Sequence, residues 1–215
     1  MMAEIEIRNV SKMIKGNKVI DNISLNFQSG EIIGLKGVNG SGKTMLMRLI
    51  AGLIMPTEGE IVIDGERIGT DITFPRSIGI LIENPAFLDS YSGFQNLKLL
   101  ASIKDKINDS DIKDAITAVK LNPNDKKKYR KYSLGMKQRL GIAAAIMEHP
   151  DIILLDEPTN ALDSDGVETV KELLQKEKTR GALIVVSCHD AEVLEEMSDK
   201  IYLIENGRIV GNEEE

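Results

Sequence analysis

The stretch Gly37-Val38-Asn39-Gly40-Ser41-Gly42-Lys43-Thr44 narrows the possible folds of this chain more than any other. It satisfies the pattern G-x-x-x-x-G-K-[ST], and it lies between an apolar run, Ile32-Ile33-Gly34-Leu35, and a helical stretch from Met45 to Leu53. A buried strand turning through such a loop into a helix makes a phosphate cradle. The glycines let backbone N–H groups face inward, and the helix adds its positive end. Gly37, Asn39, Gly40, Ser41 and Gly42 are therefore expected around the phosphates, with Lys43 reaching the β and γ positions and the Thr44 hydroxyl on Mg²⁺.

The hydropathy pattern around the loop agrees. Ile78 to Ile82, Ile152 to Leu155 and Leu183 to Val186 are, like Ile32 to Leu35, nearly continuous apolar runs, as expected of parallel strands covered on both faces. The first third of the chain also holds segments that alternate at period two. Ile5 and Ile7, then Ile23, Leu25 and Phe27, then Ile61 and Ile63 before an Asp64-Gly65 turn read as half-buried antiparallel strands. Between about Asn84 and Pro150 the strand signal gives way to three helical patterns, around Ser92 to Lys104, Ser110 to Val119 and Lys137 to Glu148. Ser92-Gly93-Phe94-Gln95 has capping-box spacing, and Glu205-Asn206-Gly207-Arg208 between apolar runs is a hairpin signal. The expected fold class is α/β: a P-loop NTPase core with a mostly parallel sheet, an antiparallel β subdomain and a helical insertion. In residues, the core takes 1–83 and 150–215 and the helical insertion 84–149, within one domain of 215 residues.

Composition excludes several function classes. With 27 Lys and Arg against 34 Asp and Glu, the net charge of -7 has the wrong sign for a general nucleic-acid binder. No apolar run approaches the about 18 residues of a membrane span, and the start MMAEIEIRNV lacks the pattern of a signal peptide. A single cysteine, Cys188, excludes an internal disulfide and fits a reducing cytosol. The basic run Lys126, Lys127, Lys128, Arg130 and Lys131 reads as a solvated loop, and the nine methionines as adaptable core packing.

A second constellation is Ile152-Ile153-Leu154-Leu155-Asp156-Glu157-Pro158, an apolar strand ending in two carboxylates. Ligands of open α/β sheets bind at that carboxyl edge. Asp156 is placed to hold Mg²⁺ through water, and Glu157 to orient and deprotonate the water that attacks the γ-phosphorus.

With these two motifs and Tyr132-Ser133-Leu134-Gly135-Met136-Lys137-Gln138-Arg139, the chain resembles the ATP-binding cassette (ABC) family over essentially its whole length. The last stretch is similar to the family signature Leu-Ser-Gly-Gly-Gln, with Leu134 and Met136 replacing a Gly and the Gln. The resemblance implies that Ser133 and Gly135 clamp the γ-phosphate of ATP held by an opposite subunit, in a homodimer or heterodimer. It further implies that Asn160-Ala161-Leu162-Asp163 is the D-loop at the dimer seam, and that His189 contacts the γ-phosphate and holds Glu157 and the attacking water. Glu83 stands where the family has the Q-loop glutamine, which touches Mg²⁺ and the membrane partner. Ile14 stands where the family stacks an aromatic ring on adenine, so base stacking is expected to be weak. The function implied is an ATP-hydrolysing subunit, peripheral to the cytoplasmic face of the cell membrane, that powers separate transmembrane permease subunits. Within the family the signature and Glu83 look like the exporters of the bacitracin-resistance and lantibiotic-immunity kind. The alternative is a soluble ABC ATPase acting on ribosomes or chromosomes.

Overall fold

A computed structural model describes residues 3–214. In chain order the first elements are β1 (Glu4–Ile14), β2 (Asn17–Gln28), β3 (Ile32–Lys36), α1 (Lys43–Ile50), β4 (Glu58–Ile63), β5 (Glu66–Arg67) and β6 (Ile78–Leu81). Three helices follow, α2 (Gly93–Lys104), α3 (Asp109–Ala118) and α4 (Leu134–Ile146). The chain then returns to alternation with β7 (Ile152–Asp156), α5 (Ser164–Thr179), β8 (Leu183–Ser187), α6 (Ala191–Met197), β9 (Lys200–Glu205) and β10 (Arg208–Glu214).

The strands form two sheets. One is antiparallel in the order β2-β1-β4-β5; the other runs β10-β9-β3-β8-β7-β6 and is parallel except for the edge strand β10. Central strands β7 and β8 are buried throughout, and their pleat divides them between two apolar layers. Ile152, Leu154, Leu183 and Val185 meet α1 and the inner face of the antiparallel sheet, through Leu46, Leu49, Ile5 and Phe27. Ile153, Leu155, Ile184 and Val186 meet the opposite layer, which holds Leu140 and Ile142 of α4, Leu174 of α5 and Leu194 of α6. That second layer runs on without a break into Leu97 of α2 and Ile112 and Ile116 of α3. The intervening helices thus share a core with one face of the sheet. Each fully buried Leu or Ile in these layers contributes about 1.5–3 kcal/mol.

Helix starts follow local chemistry. Ser92 and Gln95 close the expected capping box on α2: the Ser92 hydroxyl accepts from the Gln95 N–H at 3.3 Å, and the Gln95 side chain accepts from the Ser92 N–H at 2.9 Å. Asn108 and Asp111 form a second box that starts α3 one residue earlier than the periodicity indicates. Helix α4 begins three residues before the expected Lys137, because the Ser133 hydroxyl accepts from the Met136 N–H and satisfies the first turn. The Asn206-Gly207 turn joins β9 to β10 with positive φ at both residues, as its sequence requires.

Candidate active site

The carboxyl ends of β3, β8 and β7 lie side by side, with Leu35 opposite Ser187 and Ser187 opposite Asp156. Each strand end delivers one part of the site. Beyond β3 comes the loop Gly37 to Gly42, which is tied down from outside, since the Gly207 N–H of the β9–β10 turn donates to the Ser41 carbonyl at 2.8 Å. The Asp21 N–H in turn donates to the Gly207 carbonyl, so β2 and the hairpin brace the loop together. Lys43 begins α1, is 6% exposed, and donates from Nζ to the carbonyls of Gly37 at 2.6 Å and Val38 at 3.2 Å. An ammonium group has three donors, so a third can reach a phosphate above the loop.

Beyond β7, Asp156 is held at both carboxylate oxygens. Thr44 Oγ1 donates to Oδ2 at 2.6 Å, and Ser187 Oγ donates to Oδ1 at 2.6 Å. The same Ser187 oxygen accepts from the Glu157 N–H at 3.0 Å. Glu157 is in the left-handed region, at φ 53, and its carbonyl accepts from Gln138 Nε2 at 2.9 Å. A non-glycine residue there is strained by about 1–3 kcal/mol, so the surrounding bonds hold it in a conformation it would not choose. Its Oε1 lies 3.6 Å from His189 Nε2, beyond β8, while its Oε2 is buried with no hydrogen-bond partner among the described residues. Burial pushes the Glu157 carboxyl above the ordinary glutamate range, and the charges of His189 and Lys43 pull against that shift. A carboxylate raised in this way is a better proton acceptor near neutral pH.

Lys43, Thr44, Asp156, Glu157 and His189 line one cleft of about 320 Å³. Asn39, Gly40 and Gly42 complete its loop side, and the same Asn39 and Gly40 also border a second cleft of about 730 Å³ that holds Ser41 and Gly37. Other expected residues stand apart. Ile14 closes β1 at the tip of the β1–β2 hairpin, and Val19 of β2, with Met45 of α1, supplies the apolar side chains that line the cleft. Glu83, also left-handed at φ 63, accepts from Arg48 of α1 at 2.5 Å. Ser133 and Gly135 lie at the start of α4 and face neither cleft. A Cβ on Gly135 would meet the Ala161 carbonyl at 2.8 Å, so the backbone there favours glycine at position 135. Cys188 is buried, with its thiol pushed up by burial and lying 3.2 Å from Thr159 Oγ1.

Two residues take roles here that sequence reading does not assign. Ser187 carries no local motif, and Gln138 lies in the stretch similar to the family signature but acts through Glu157, distant in the chain.

Among known proteins, the ABC transporter family profile matches residues 20–160. The chain is 50% identical over 209 residues to the uncharacterized ABC transporter ATP-binding protein YybJ of Bacillus subtilis, covering 97% of this chain and 96% of that protein. It is 36% identical to the bacitracin transport ATP-binding protein BcrA of Enterococcus faecalis, over 96% of this chain and 68% of BcrA. Among solved structures, a dimeric post-hydrolysis state of the ATP-binding cassette MJ0796 bound to ADP and Pi superposes with a TM-score of 0.88. That match has 26% identity and covers 98% of each chain.

Proposed function

The chain belongs to the ABC transporter family as an ATP-binding, ATP-hydrolysing subunit, and from that premise we propose how its residues divide the reaction and what it drives. The carrying observation is the single cleft into which β3, β7 and β8 deliver Lys43, Thr44, Asp156, Glu157 and His189. The loop N–H groups and Lys43 bind and orient the phosphates of ATP. Glu157 takes a proton from water as that oxygen attacks the γ-phosphorus; the bond from the γ-phosphorus to the β-bridging oxygen breaks, releasing ADP and phosphate. His189, beside Glu157 Oε1, orients the base.

The donor set suits Mg²⁺. Thr44 Oγ1 and Asp156 Oδ2, 2.6 Å apart, are hard oxygen ligands, and no cluster of three or more His, Cys, Asp or Glu able to hold a metal occurs among the described residues. Thr44 would hold Mg²⁺ directly and Asp156 would hold it through water, with substrate oxygens and water as the remaining ligands, and the ion would neutralise charge at the phosphate oxygens.

Ser133 and Gly135 face neither cleft of their own chain, which supports their use on ATP held by a second cassette. We place the contact with permease subunits at a groove of about 440 Å³ beside Glu83, lined by Arg48, Leu53, Ile80, Pro85, Phe87 and Leu100. Among the described residues no helix is long and apolar enough to cross a membrane, which agrees with a subunit working at the cytoplasmic face through separate partners. The likeness to BcrA supports export of an antimicrobial peptide or drug as the process driven, over action on ribosomes or chromosomes.

Glu157→Gln tests the core of this reading. It should keep ATP binding, lower turnover at least about a hundredfold, and accumulate an ATP-bound dimer visible by sedimentation. Turnover at the wild-type rate would refute the assignment of the base.

A further inference from the structure

The base is not held by its own strand alone. Its N–H donates to Ser187 of β8, and its carbonyl accepts from Gln138 of α4, a residue 7% exposed. The strained φ of 53 at Glu157 is maintained between these two bonds. One of them comes from the same rigid sheet, the other from a helix in a different layer.

Helix α4 has a particular position. Its N-cap is Ser133, and Gln138 lies within the first turn and a half after it. The exposed start of the helix includes Leu134, 74% exposed, so a ligand can reach it from outside the chain. Further contacts tie this start to the segment after the base: Arg139 donates to Asp163 Oδ1 at 3.1 Å, and Gly135 packs beneath the Ala161 carbonyl. Of these contacts, the one from Gln138 reaches the base residue itself.

We propose that Gln138 is a positioning residue, through which the seating of the signature helix on the partner subunit's ATP sets the Glu157 peptide in its own site. This rests on the two-cassette sandwich proposed above. A helix moves as a stiff rod, so a displacement at Ser133 and Gly135 reaches Gln138 undiminished across little more than one turn. Through the amide it arrives at the carbonyl of a strained residue, where a small rotation re-aims the carboxylate. Hydrolysis at each site then depends on occupancy of the other. Gln138 touches no reacting atom and acts through Glu157.

The test uses full-length protein with MgATP. Gln138→Met keeps length and volume but removes the donor, and Gln138→Glu sets an acceptor against the Glu157 carbonyl. Steady-state ATPase rates against ATP concentration give kcat, the half-saturating concentration and the Hill coefficient. The same substitutions in a Glu157→Gln background report ATP-driven dimer assembly by sedimentation. Wild type should show a Hill coefficient above 1. Gln138→Met should lose about tenfold in kcat, the scale of one hydrogen bond, with half-saturation and dimer assembly retained and the Hill coefficient falling towards 1. Gln138→Glu should lose more. Wild-type kcat and cooperativity in Gln138→Met, a non-cooperative wild type that still forms the dimer, or loss of dimer assembly in step with kcat would each overturn the coupling role. Absence of an ATP-driven dimer in Glu157→Gln itself overturns the sandwich, and the coupling with it.

Discussion

Ser187 offers the sharpest test of how the site is built. Its side chain is fully buried, and its hydroxyl makes two bonds at once, donating to Asp156 Oδ1 at 2.6 Å and accepting from the Glu157 N–H at 3.0 Å. Ser187→Ala strips both. A buried N–H left unpartnered costs about 1–3 kcal/mol, and loss of a bond to a carboxylate about 1.5–3 kcal/mol. Because the two share one atom they do not add in full, and a total of about 3 kcal/mol is expected. For a chain of this size that lowers the thermal midpoint by about 6–12 °C. Ser198 provides the internal control. Its hydroxyl is buried as well, but has no partner among the described residues, so Ser198→Ala should be neutral or slightly stabilising. Both variants are measured by urea and thermal unfolding without nucleotide. Ser187→Ala should also need more Mg²⁺ for half-maximal ATPase activity, since Asp156 loses the donor that holds Oδ1. Equal stability of the two variants would refute the clamp.

Further expectations follow from the same geometry. Lys43→Ala removes a charge-assisted phosphate contact worth about 1.5–3 kcal/mol, so nucleotide titration should show affinity weakened by about tenfold or more. Because Glu157 titrates above the ordinary carboxylate range, kcat should fall on acidification at a higher pH than a solvated glutamate would dictate. The same shift makes the folded state hold its proton while the unfolded state has released it. Stability therefore declines as pH rises from about 4 through the raised value, and Glu157→Gln should stabilise the nucleotide-free protein at neutral pH but not below the ordinary range. Val19 is the residue of its hairpin that lines the cleft, so Val19→Tyr should tighten ATP and GTP alike by stacking worth about 1–3 kcal/mol, with Ile14→Tyr changing less. A strong wild-type preference for ATP over GTP, unaltered by either, would place the base elsewhere.

The legible parts of this protein are those whose chemistry is contiguous. A phosphate cradle needs its glycines, lysine and threonine in one run, and a strand ending in Asp156-Glu157 shows both the buried run and the carboxylates in a few residues. The box at Ser92 was readable for the same reason, whereas Asn108-x-x-Asp111 uses an aspartate in place of the usual Glu or Gln and escapes that pattern. Ser187 and Gln138 could not be found this way. Their roles exist only once β7 and β8 are in register, with Asp156 opposite Ser187, and α4 packs against β6 and β7. The Arg48–Glu83 pair likewise joins residues 35 apart in the chain. Ile14 is named from the likeness of Ser11-Lys12-Met13-Ile14 to the family's opening strand, whereas Val19 comes to line the cleft through the fold of the β1–β2 hairpin.

The shared core explains why an exposed helix start can matter to a buried base. Leu140 and Ile142 of α4 lie in the same apolar layer as Ile153 and Leu155 of β7, and a Cβ on Gly141 would meet Pro85 and Leu81 at 2.8 and 2.9 Å, so α4 presses directly on β6 and the Glu83 loop. Tyr129, just before the signature, donates its hydroxyl to the Pro85 carbonyl at 2.6 Å, fixing that loop from the other end. A close-packed interior transmits displacement because it has no free volume to absorb it. Helix α4 therefore bears on two places, on the Glu157 carbonyl through Gln138 and on the Glu83 loop through Gly141. On the proposed reading the first sets hydrolysis and the second borders the groove proposed for the membrane partner, so that reading makes α4 the link between them.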